Sequence, residues 1–137
     1  PGPLGRGPDS LAAMLLINDV HNIFYLGLAS SGGAVAPSVL AGVATRTLMG
    51  RKEETLKMAL AAKRLYNRGN PDLTYYEQGM DTSIIDDLSK RGHRLSPVPT
   101  LGKVNGIFCS TGVPSKKGLS CSMRPDPRGF GLAAGAE

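Results

Sequence analysis

Two runs of apolar residues stand near the start of the chain. They occupy positions 11–17 and 23–29, and the mostly polar stretch 18–22 separates them. Nearly unbroken apolar runs of this length, flanked by turn formers, are typical of strands covered on both faces, since a half-exposed strand alternates apolar and polar residues. We therefore predict two buried strands joined by a tight connection, in a layered fold with helices or a second sheet against them.

A four-residue repeat of apolar positions follows and predicts a helix over 36–49. Pro37 suits the first turn, where its missing N–H has no intrahelical partner, and Gly50 ends the helix. The apolar face consists of Val39, Leu40, Val43, Ala44, Thr47 and Leu48. A second helix is predicted over 52–66, where Leu56, Leu60 and several alanines recur at helical spacing, and 67–71 ends it.

The rest of the chain predicts short strands around a third helix. Asp81 is placed to cap that helix, which holds Ile84, Ile85 and Leu88 and which Arg91 and Gly92 close. The predicted strands are 73–78, 95–98 and 104–109, the predicted turns are 115–120 and 126–129, and a last organised piece covers 130–134. Strands, then helices, then strands favour an α+β or layered α/β arrangement.

Length and composition indicate one small domain or part of a larger one. The chain has 137 residues, of which 41% are hydrophobic. This length excludes a two-domain enzyme. No stretch approaches the ~20 apolar residues of a membrane-spanning helix, and the Pro- and Gly-rich residues 1–8 show no signal-peptide pattern. We expect an irregular lead-in over 1–8, a soluble chain and no membrane insertion.

The charge of the chain is moderately basic. Sixteen Lys and Arg against eleven Asp and Glu give a formal charge of +5. The densest cationic stretch, 46–68, is interrupted by Glu53 and Glu54, which favours a solvated helix face. Phosphate contacts would help nucleic-acid binding, but seven aromatic residues without Trp provide no visible stacking platform. Nucleic acid is therefore expected only indirectly, as part of an RNA-rich or anionic assembly.

Cysteines and histidines give no metal-binding pattern. Cys109 and Cys121 lack the spacing of a zinc site, and we expect them to be reduced and buried. His21 and His93 have no Cys, Asp or Glu at ligand spacing, and we expect both at the surface or in loops. We predict no metal and no cofactor.

The most informative local feature is the sequence Ser30-Ser31-Gly32-Gly33 between a predicted strand and a predicted helix. Adjacent glycines allow backbone conformations closed to other residues. The start of the helix directs unpaired N–H groups and the positive end of its dipole to the same place. Such a junction can bind an anion or stabilise an oxyanion. The alternative is a tight turn without chemistry, and neither a Walker pattern nor a complete G-x-G-x-x-G pattern accompanies the pair.

The order of segments resembles the C-terminal part of the small subunit of γ-glutamyltransferases, which are N-terminal-nucleophile hydrolases. The resemblance covers about residue 8 to the C-terminus. It is carried by the blocks Ser30-Ser31-Gly32-Gly33, 71–79 (PDLTYYEQG), 88–93 (LSKRGH) and 126–129 (DPRG), followed by Gly131, Ala133 and Ala134. The resemblance implies that 9–137 form one segment of a layered αββα sandwich.

The resemblance also implies a site. The family's two adjacent glycines supply oxyanion-hole N–H groups, which by position are those of Gly32 and Gly33. The family usually has Pro before this pair and Ser after it, where this chain has Ser31 and Ala34. Its Ser-Ser-Met block, which holds the substrate's α-carboxylate, corresponds here to the stretch 9–12. We predict Gly32 and Gly33 as catalytic residues and Ser10 and Ser31 as substrate-binding residues.

The family's nucleophile has no counterpart in this sequence. It is a Thr that becomes the first residue of the small subunit, whereas this chain begins Pro1-Gly2-Pro3 and its threonines are internal. Activity on a small γ-glutamyl substrate would then need an obligate partner chain that brings the nucleophile.

Two hypotheses follow. The chain is either one piece of a γ-glutamyltransferase-like hydrolase or a catalytically inactive structural subunit of a larger complex. An enzyme would suit the bacterial periplasm or cytoplasm, and a structural subunit would admit the mitochondrion.

Overall fold

The structure is a computed structural model that describes residues 11–50, 55–116, 118 and 120–133. Its strands, in chain order, are β1 (Leu11–Asn18), β2 (Ile23–Ser31), β3 (Leu65–Asn67), β4 (Thr74–Glu77), β5 (Leu95–Val98), β6 (Lys103–Val113) and β7 (Cys121–Arg124). Its helices are α1 (Ala36–Met49), α2 (Leu56–Ala61) and α3 (Thr82–Lys90), and a short 3-10 helix, Gly33–Val35, precedes α1. The predicted lead-in over 1–8 lies outside the described residues.

The strands form two sheets. The large sheet is antiparallel, with strand order β1-β2-β6-β7. The small sheet has the order β3-β4-β5, in which β3 and β4 are antiparallel and β4 and β5 are parallel. None of the described helices is long and apolar enough to cross a membrane. Helices together with one antiparallel and one mixed sheet give the predicted α+β class.

The hydrophobic core lies between one face of the large sheet and the helices α1 and α2. Every second residue of β2 points to the helices, and Leu26 is fully buried there. The core cluster consists of Leu26, Leu28, Val39, Leu40, Val43, Ala44, Leu56, Ala59, Leu60, Leu101 and Val104. Each buried leucine contributes roughly 2 kcal/mol relative to an exposed one. The predicted apolar face of α1 is confirmed except at Leu48, which is exposed in the last turn together with Met49.

The second face of the large sheet is open within the described residues, although the apolar runs of the first two strands predict that both faces are covered. Leu11 and Leu15 of β1 are 65% and 68% exposed. Ala12 and Met14, on the opposite face of the same strand, pack against the core. Within the described residues, β1 is an edge strand of its sheet with helices on one side only. Its continuous apolar run therefore reflects a face that this part of the chain does not cover.

The second predicted helix is shorter than its sequence pattern suggested. Thr55 caps α2, and its hydroxyl accepts a hydrogen bond from the N–H of Met58. The backbone leaves the helix at Ala62, where ψ is 139°. The next residues form β3, which pairs with β4. The alanine-rich sequence favours a helix, but strand pairing overrides that preference. The predicted start at 52 lies outside the described residues.

The third helix and the strands around it follow the prediction closely. Asp81 caps α3 by accepting a hydrogen bond from the N–H of Ser83 at 2.9 Å. Gly92 follows α3 with a φ of 88°. The predicted strands 73–78, 95–98 and 104–109 correspond to β4, β5 and β6. The sequence did not predict β7, and the expected organised piece over 130–134 has no regular structure in its described residues.

The two cysteines form a disulfide, which corrects the expectation of reduced thiols. Cys109 of β6 and Cys121 of β7 face each other directly in the antiparallel register, with their Cα atoms 4.0 Å apart. The two cysteines are close because β6 and β7 pair, and their spacing in the sequence does not indicate this. Disulfides persist in oxidising compartments and are rare in reducing ones.

Candidate functional site

The glycine pair lies between β2 and α1, as the sequence predicted: Gly32 follows β2, and Gly33 begins the 3-10 helix. Gly32 has φ 141° and Gly33 has φ 63°, both in the region that side chains disfavour. A Cβ on Gly32 would lie 2.9 Å from Cα of Gly102 in the segment before β6. The turn therefore needs glycine for its conformation and also for its close approach to a neighbouring backbone.

The turn leaves backbone N–H groups without side-chain caps. Neither the 3-10 helix nor α1 has a side-chain hydrogen bond at its N-cap. Gly32 is exposed and Gly33 is partly exposed. Unpaired N–H groups at a helix start carry partial positive charge. A turn of this kind can hold a negatively charged oxygen atom.

A cleft of about 260 Å³ lies beside this turn. Its described lining residues are Leu11, Ala29, Ser30, Ser31, Lys103, Asn105, Asp126, Gly129, Phe130 and Gly131. Ser31, a predicted substrate-binding residue, is among them and is followed directly by Gly32. The two glycines are not among the described lining residues, and Ser10 lies outside the described residues. The structure thus brings Ser31 and the glycine pair together at the end of β2.

Beneath the cleft lies a buried network of four charged side chains, two arginines and two carboxylates. Arg64 donates a hydrogen bond from Nη2 to Oδ2 of Asp126 at 2.6 Å, and only 7% of the Arg64 side chain is exposed. Arg128 donates from Nη2 to Oε2 of Glu77 at 2.5 Å and from Nη1 to Oδ1 of Asp126 at 3.2 Å. The formal charges cancel, which is the condition under which buried charges are tolerated.

The network also holds the backbone next to the glycine turn. Nη1 of Arg64 donates hydrogen bonds to the carbonyl oxygens of Leu101 and Gly102, each at 3.0 Å. Gly102 is the residue against which Gly32 packs. Oε1 of Glu77 accepts a hydrogen bond from the N–H of Leu101 at 2.8 Å. The position of the 101–102 segment, and through it the glycine turn, therefore depends on buried charges.

The pKa shifts in the network follow from burial and its hydrogen bonds. Burial alone would raise the pKa of Glu77, but hydrogen bonds from Arg128, Leu101 and Arg64 and the Arg128 charge hold this pKa below its ordinary value. Burial opposes the same outcome at Asp126, where hydrogen bonds from Arg128, Arg64 and Val104 lower the pKa. Both carboxylates are therefore held ionised.

Sequence reasoning missed the network. It placed Arg64 in a solvated cationic face, and the structure buries this side chain. Glu77, Asp126 and Arg128 lie within the sequence blocks that carried the family resemblance, but those blocks gave no reason to join them. The residues with which they pair are distant in sequence. The sequence therefore offered only one hint of a buried network, namely charged residues within blocks that otherwise resemble turns.

The histidines are not part of the cleft. His21 and His93 are both exposed, as predicted. Among the described residues, no group of three His, Cys, Asp or Glu side chains is arranged to hold a metal ion.

Comparisons with known proteins identify similar folds. A mutant of the Helicobacter pylori gamma-glutamyltranspeptidase is 24% identical with a TM-score of 0.77, over 93% of this chain and 65% of that chain. The Pseudomonas nitroreducens gamma-glutamyltranspeptidase complexed with L-DON is 23% identical with a TM-score of 0.77, over 98% of this chain and 66% of that chain. The Bacillus anthracis transpeptidase CapD is 17% identical with a TM-score of 0.74, over 98% and 75% of the two chains. Comparison with curated proteins gave no match.

These structures confirm the predicted fold class. The chain has a mixed α+β fold like that of these transpeptidases and forms part of a layered αββα sandwich. It spans just under two thirds of the length of the first two transpeptidases. The sequence profile of the family described as gamma-glutamyltranspeptidase matches residues 2–136, nearly the whole chain. The chain therefore belongs to the gamma-glutamyltranspeptidase family.

Proposed function

We propose that this chain is part of a γ-glutamyl acyl-transferring enzyme and supplies the oxyanion-hole N–H groups of Gly32 and Gly33. The reaction is attack of a nucleophile on a γ-glutamyl amide, release of the amine, and transfer of the acyl group to water or an amino acid. Another chain or segment brings the nucleophilic Thr and most of the substrate-binding groups. Ser31, and Ser10 before β1, are the substrate-binding residues of this part.

The observation that carries the proposal is the conformation of the glycine turn. A tetrahedral intermediate needs donors fixed in advance at the position of its oxyanion. The turn at Gly32 and Gly33 has backbone angles that glycine adopts readily and other residues disfavour, and it is held by the packing of Gly32 on Gly102 and by the helix that follows. Family membership supports assigning this chemistry to the turn.

The open face of the large sheet supports the need for a partner. It bears a shallow apolar depression of about 600 Å³ whose lining includes Ala13, Leu15, Ala29, Ile107 and Met123. Exposed apolar surfaces of this kind mark interaction sites. The missing part of the enzyme, as a separate chain or a further segment, covers this face in the proposal.

A second candidate function is an inactive structural subunit of a larger complex. It is favoured by Ser31 and Ala34, which stand where the resembled family usually has Pro and Ser. These departures flank the proposed oxyanion hole. An inactive chain retains the fold and the partner-binding face without turnover, since fold and function are separate properties.

The experiment is an assay of γ-glutamyl p-nitroanilide hydrolysis by the intact assembly and by its Gly33→Ala variant. A side chain disfavours the φ of 63° and turns the peptide N–H away from the oxyanion. Loss of an oxyanion donor lowers kcat by about 100-fold or more. Gly69→Ala is the matched control, because Gly69 also has a positive φ and a Cβ there, as at Gly33, would meet no atom within 4 Å.

The two candidates give different results. The acyl-transfer proposal requires turnover in the unmodified assembly, a large loss in Gly33→Ala and an almost unchanged rate in Gly69→Ala. Equal losses in the two variants would mean that the glycine turn matters only for folding. Absence of turnover in the unmodified assembly would contradict the acyl-transfer proposal and favour the structural subunit.

A further inference from the structure

We propose that Gly102 is a positioning residue for the oxyanion hole and that it sets the direction of the Gly32 N–H group by backbone packing. Gly102 lies on a different segment of the chain, the turn that precedes β6. The role in catalysis rests on the proposed function, whereas the packing of the two backbones is a feature of the fold.

Gly32 and Gly102 face each other one step beyond the paired part of the large sheet. Ser31 of β2 is directly opposite Lys103 of β6, and this is the last pair at that end of the two strands. The two glycines continue the same register. A Cβ on Gly32 would lie 2.9 Å from Cα of Gly102, closer than real Cβ atoms come to a backbone. The two backbones therefore approach each other more closely than a side chain at position 32 allows.

Gly102 also lies against the peptide group that leads into the glycine turn. A Cβ on Gly102 would lie 3.1 Å from the carbonyl oxygen of Ser31. That oxygen and the N–H of Gly32 belong to one peptide group, which is planar and rigid. Pressure on the oxygen therefore rotates the N–H group as well. The absence of a side chain at Gly102 leaves this proposed oxyanion donor in its direction.

The segment that contains Gly102 is held firmly from behind. Nη1 of Arg64 donates a hydrogen bond to the carbonyl oxygen of Gly102 at 3.0 Å, and the N–H of Leu101 donates to Oε1 of Glu77 at 2.8 Å. The Leu101 side chain is buried in the core. The glycine turn, in contrast, has no side-chain cap. An atom added at Gly102 should therefore move the turn rather than the 101–102 segment.

Displacement of the turn should affect the transition state more than the bound substrate. An oxyanion hole binds an oxygen atom whose negative charge develops during the reaction. Loss of an interaction made only in the transition state lowers kcat and leaves KM unchanged. A displacement of about 1 Å can cost about 100-fold in rate, so the few tenths of an ångström required at Gly102 should cost about tenfold.

The test is steady-state hydrolysis of γ-glutamyl p-nitroanilide by the intact assembly and by its Gly102→Ala variant. We expect kcat to fall by about tenfold and KM to stay within about twofold. Gly92→Ala is the matched control, because Gly92 also has a positive φ, 88°, and a Cβ there would meet no atom within 4 Å. This control disfavours the backbone conformation in the same way without touching the turn, so both constants should stay unchanged.

A second pair of variants applies if Gly102→Ala does not fold. Val39 and Val43 are both buried in α1. Val39 is the side chain nearest to a Cβ on Gly102, at 3.5 Å, and Val43 lies one turn further along the helix. Val39→Ala removes support beside Gly102 and should lower kcat by about threefold, whereas Val43→Ala should leave kcat unchanged. Equal kcat values in these two variants would contradict the positioning role.

Amide NMR signals of the intact assembly, with its glycines labelled with nitrogen-15, give a measurement that needs no turnover. Gly102→Ala should shift the signals of Gly32 and Gly33, and Gly92→Ala should leave them in place. Unshifted signals in Gly102→Ala would overturn the positioning role. Equal losses of kcat in Gly102→Ala and Gly92→Ala, or a raised KM at unchanged kcat, would overturn it as well.

Failure of the proposed function gives a different result. An unmodified assembly without turnover contradicts acyl transfer. If the signals of Gly32 and Gly33 still shift in Gly102→Ala and not in Gly92→Ala, Gly102 places the glycine turn in a chain that has no catalytic activity.

Discussion

The two faces of the large sheet differ in how completely this part of the chain covers them. On the helix side Leu26 is fully buried under α1 and α2, whereas Leu15 on the other side is 68% exposed. Both leucines belong to neighbouring strands of the same sheet. The difference shows that this part of the chain builds one half of a layered core by itself. The other half needs material that these residues do not provide.

The polar groups of the two sides differ in the same way. Around the buried network, the carboxylate oxygens of Glu77 and Asp126 all accept hydrogen bonds. On the open side, Lys103 and Asn105 are exposed and line the cleft beside the glycine turn. Buried carboxylates need such hydrogen bonds to be tolerated, whereas exposed side chains are solvated. The buried network is therefore structural.

The largest effect should come from breaking the network. We expect Arg64→Met to lower the free energy of unfolding of the intact protein by about 3–5 kcal/mol, because it removes the closer of the two arginines paired with the buried Asp126 carboxylate and leaves the network with an unbalanced negative charge. Denaturant unfolding measures the loss. Arg91→Ala is the control, since it breaks an exposed ion pair with Asp87 and should cost at most about 0.5 kcal/mol. Similar losses in the two variants would show that burial adds nothing to the Arg64 pair.

The next prediction, with a somewhat smaller expected loss of stability, tests whether the open face is covered in the intact protein. Leu26→Ala removes a core side chain and should cost about 2–5 kcal/mol. Leu15→Ala should cost about 2 kcal/mol if a partner packs on the open face. The control is Met58→Ala on α2, where the side chain is 53% exposed. Unfolding of the intact assembly measures all three. If Leu15→Ala costs no more than Met58→Ala, the open face has no partner.

The sequence predicted what depends on local chemistry. The cap at Asp81, the end of α1 at Gly50 and the glycine turn at Gly32 each follow from a residue and its immediate neighbours. The family resemblance supplied the fold class. Features that depend on pairing between distant segments were missed. Arg64 and Asp126 are 62 residues apart, and nothing near either residue indicates the other.

The candidate site shows the same limit. Ser31, which precedes the glycine pair, was predicted as a substrate-binding residue from the family resemblance, and it lines the cleft. Lys103 and Asn105 were not predicted, because only the register between β2 and β6 brings them beside it. The apolar run of β1 predicted the strand correctly, but composition does not tell whether the layer that covers its second face belongs to the same part of the chain.

The smallest expected effect is the pH dependence of stability, which compares a carboxylate of the buried network with one on the exposed surface. The pKa of Glu77 is lower in the folded protein than its ordinary value of about 4.3. Its contribution to stability is therefore complete above that ordinary value and is lost as the pH falls through the lower folded pKa. We expect the free energy of unfolding to fall as the pH is lowered from about 5, and Glu77→Gln to flatten this dependence.

Asp86→Asn, on the exposed surface of α3, is the control and should leave the slope unchanged. Protonation leaves the side chain in place, so the change should be smaller than in Arg64→Met. If the free energy of unfolding depends on pH in the same way in the unmodified protein and in Glu77→Gln, protonation of Glu77 does not cause the pH dependence of stability.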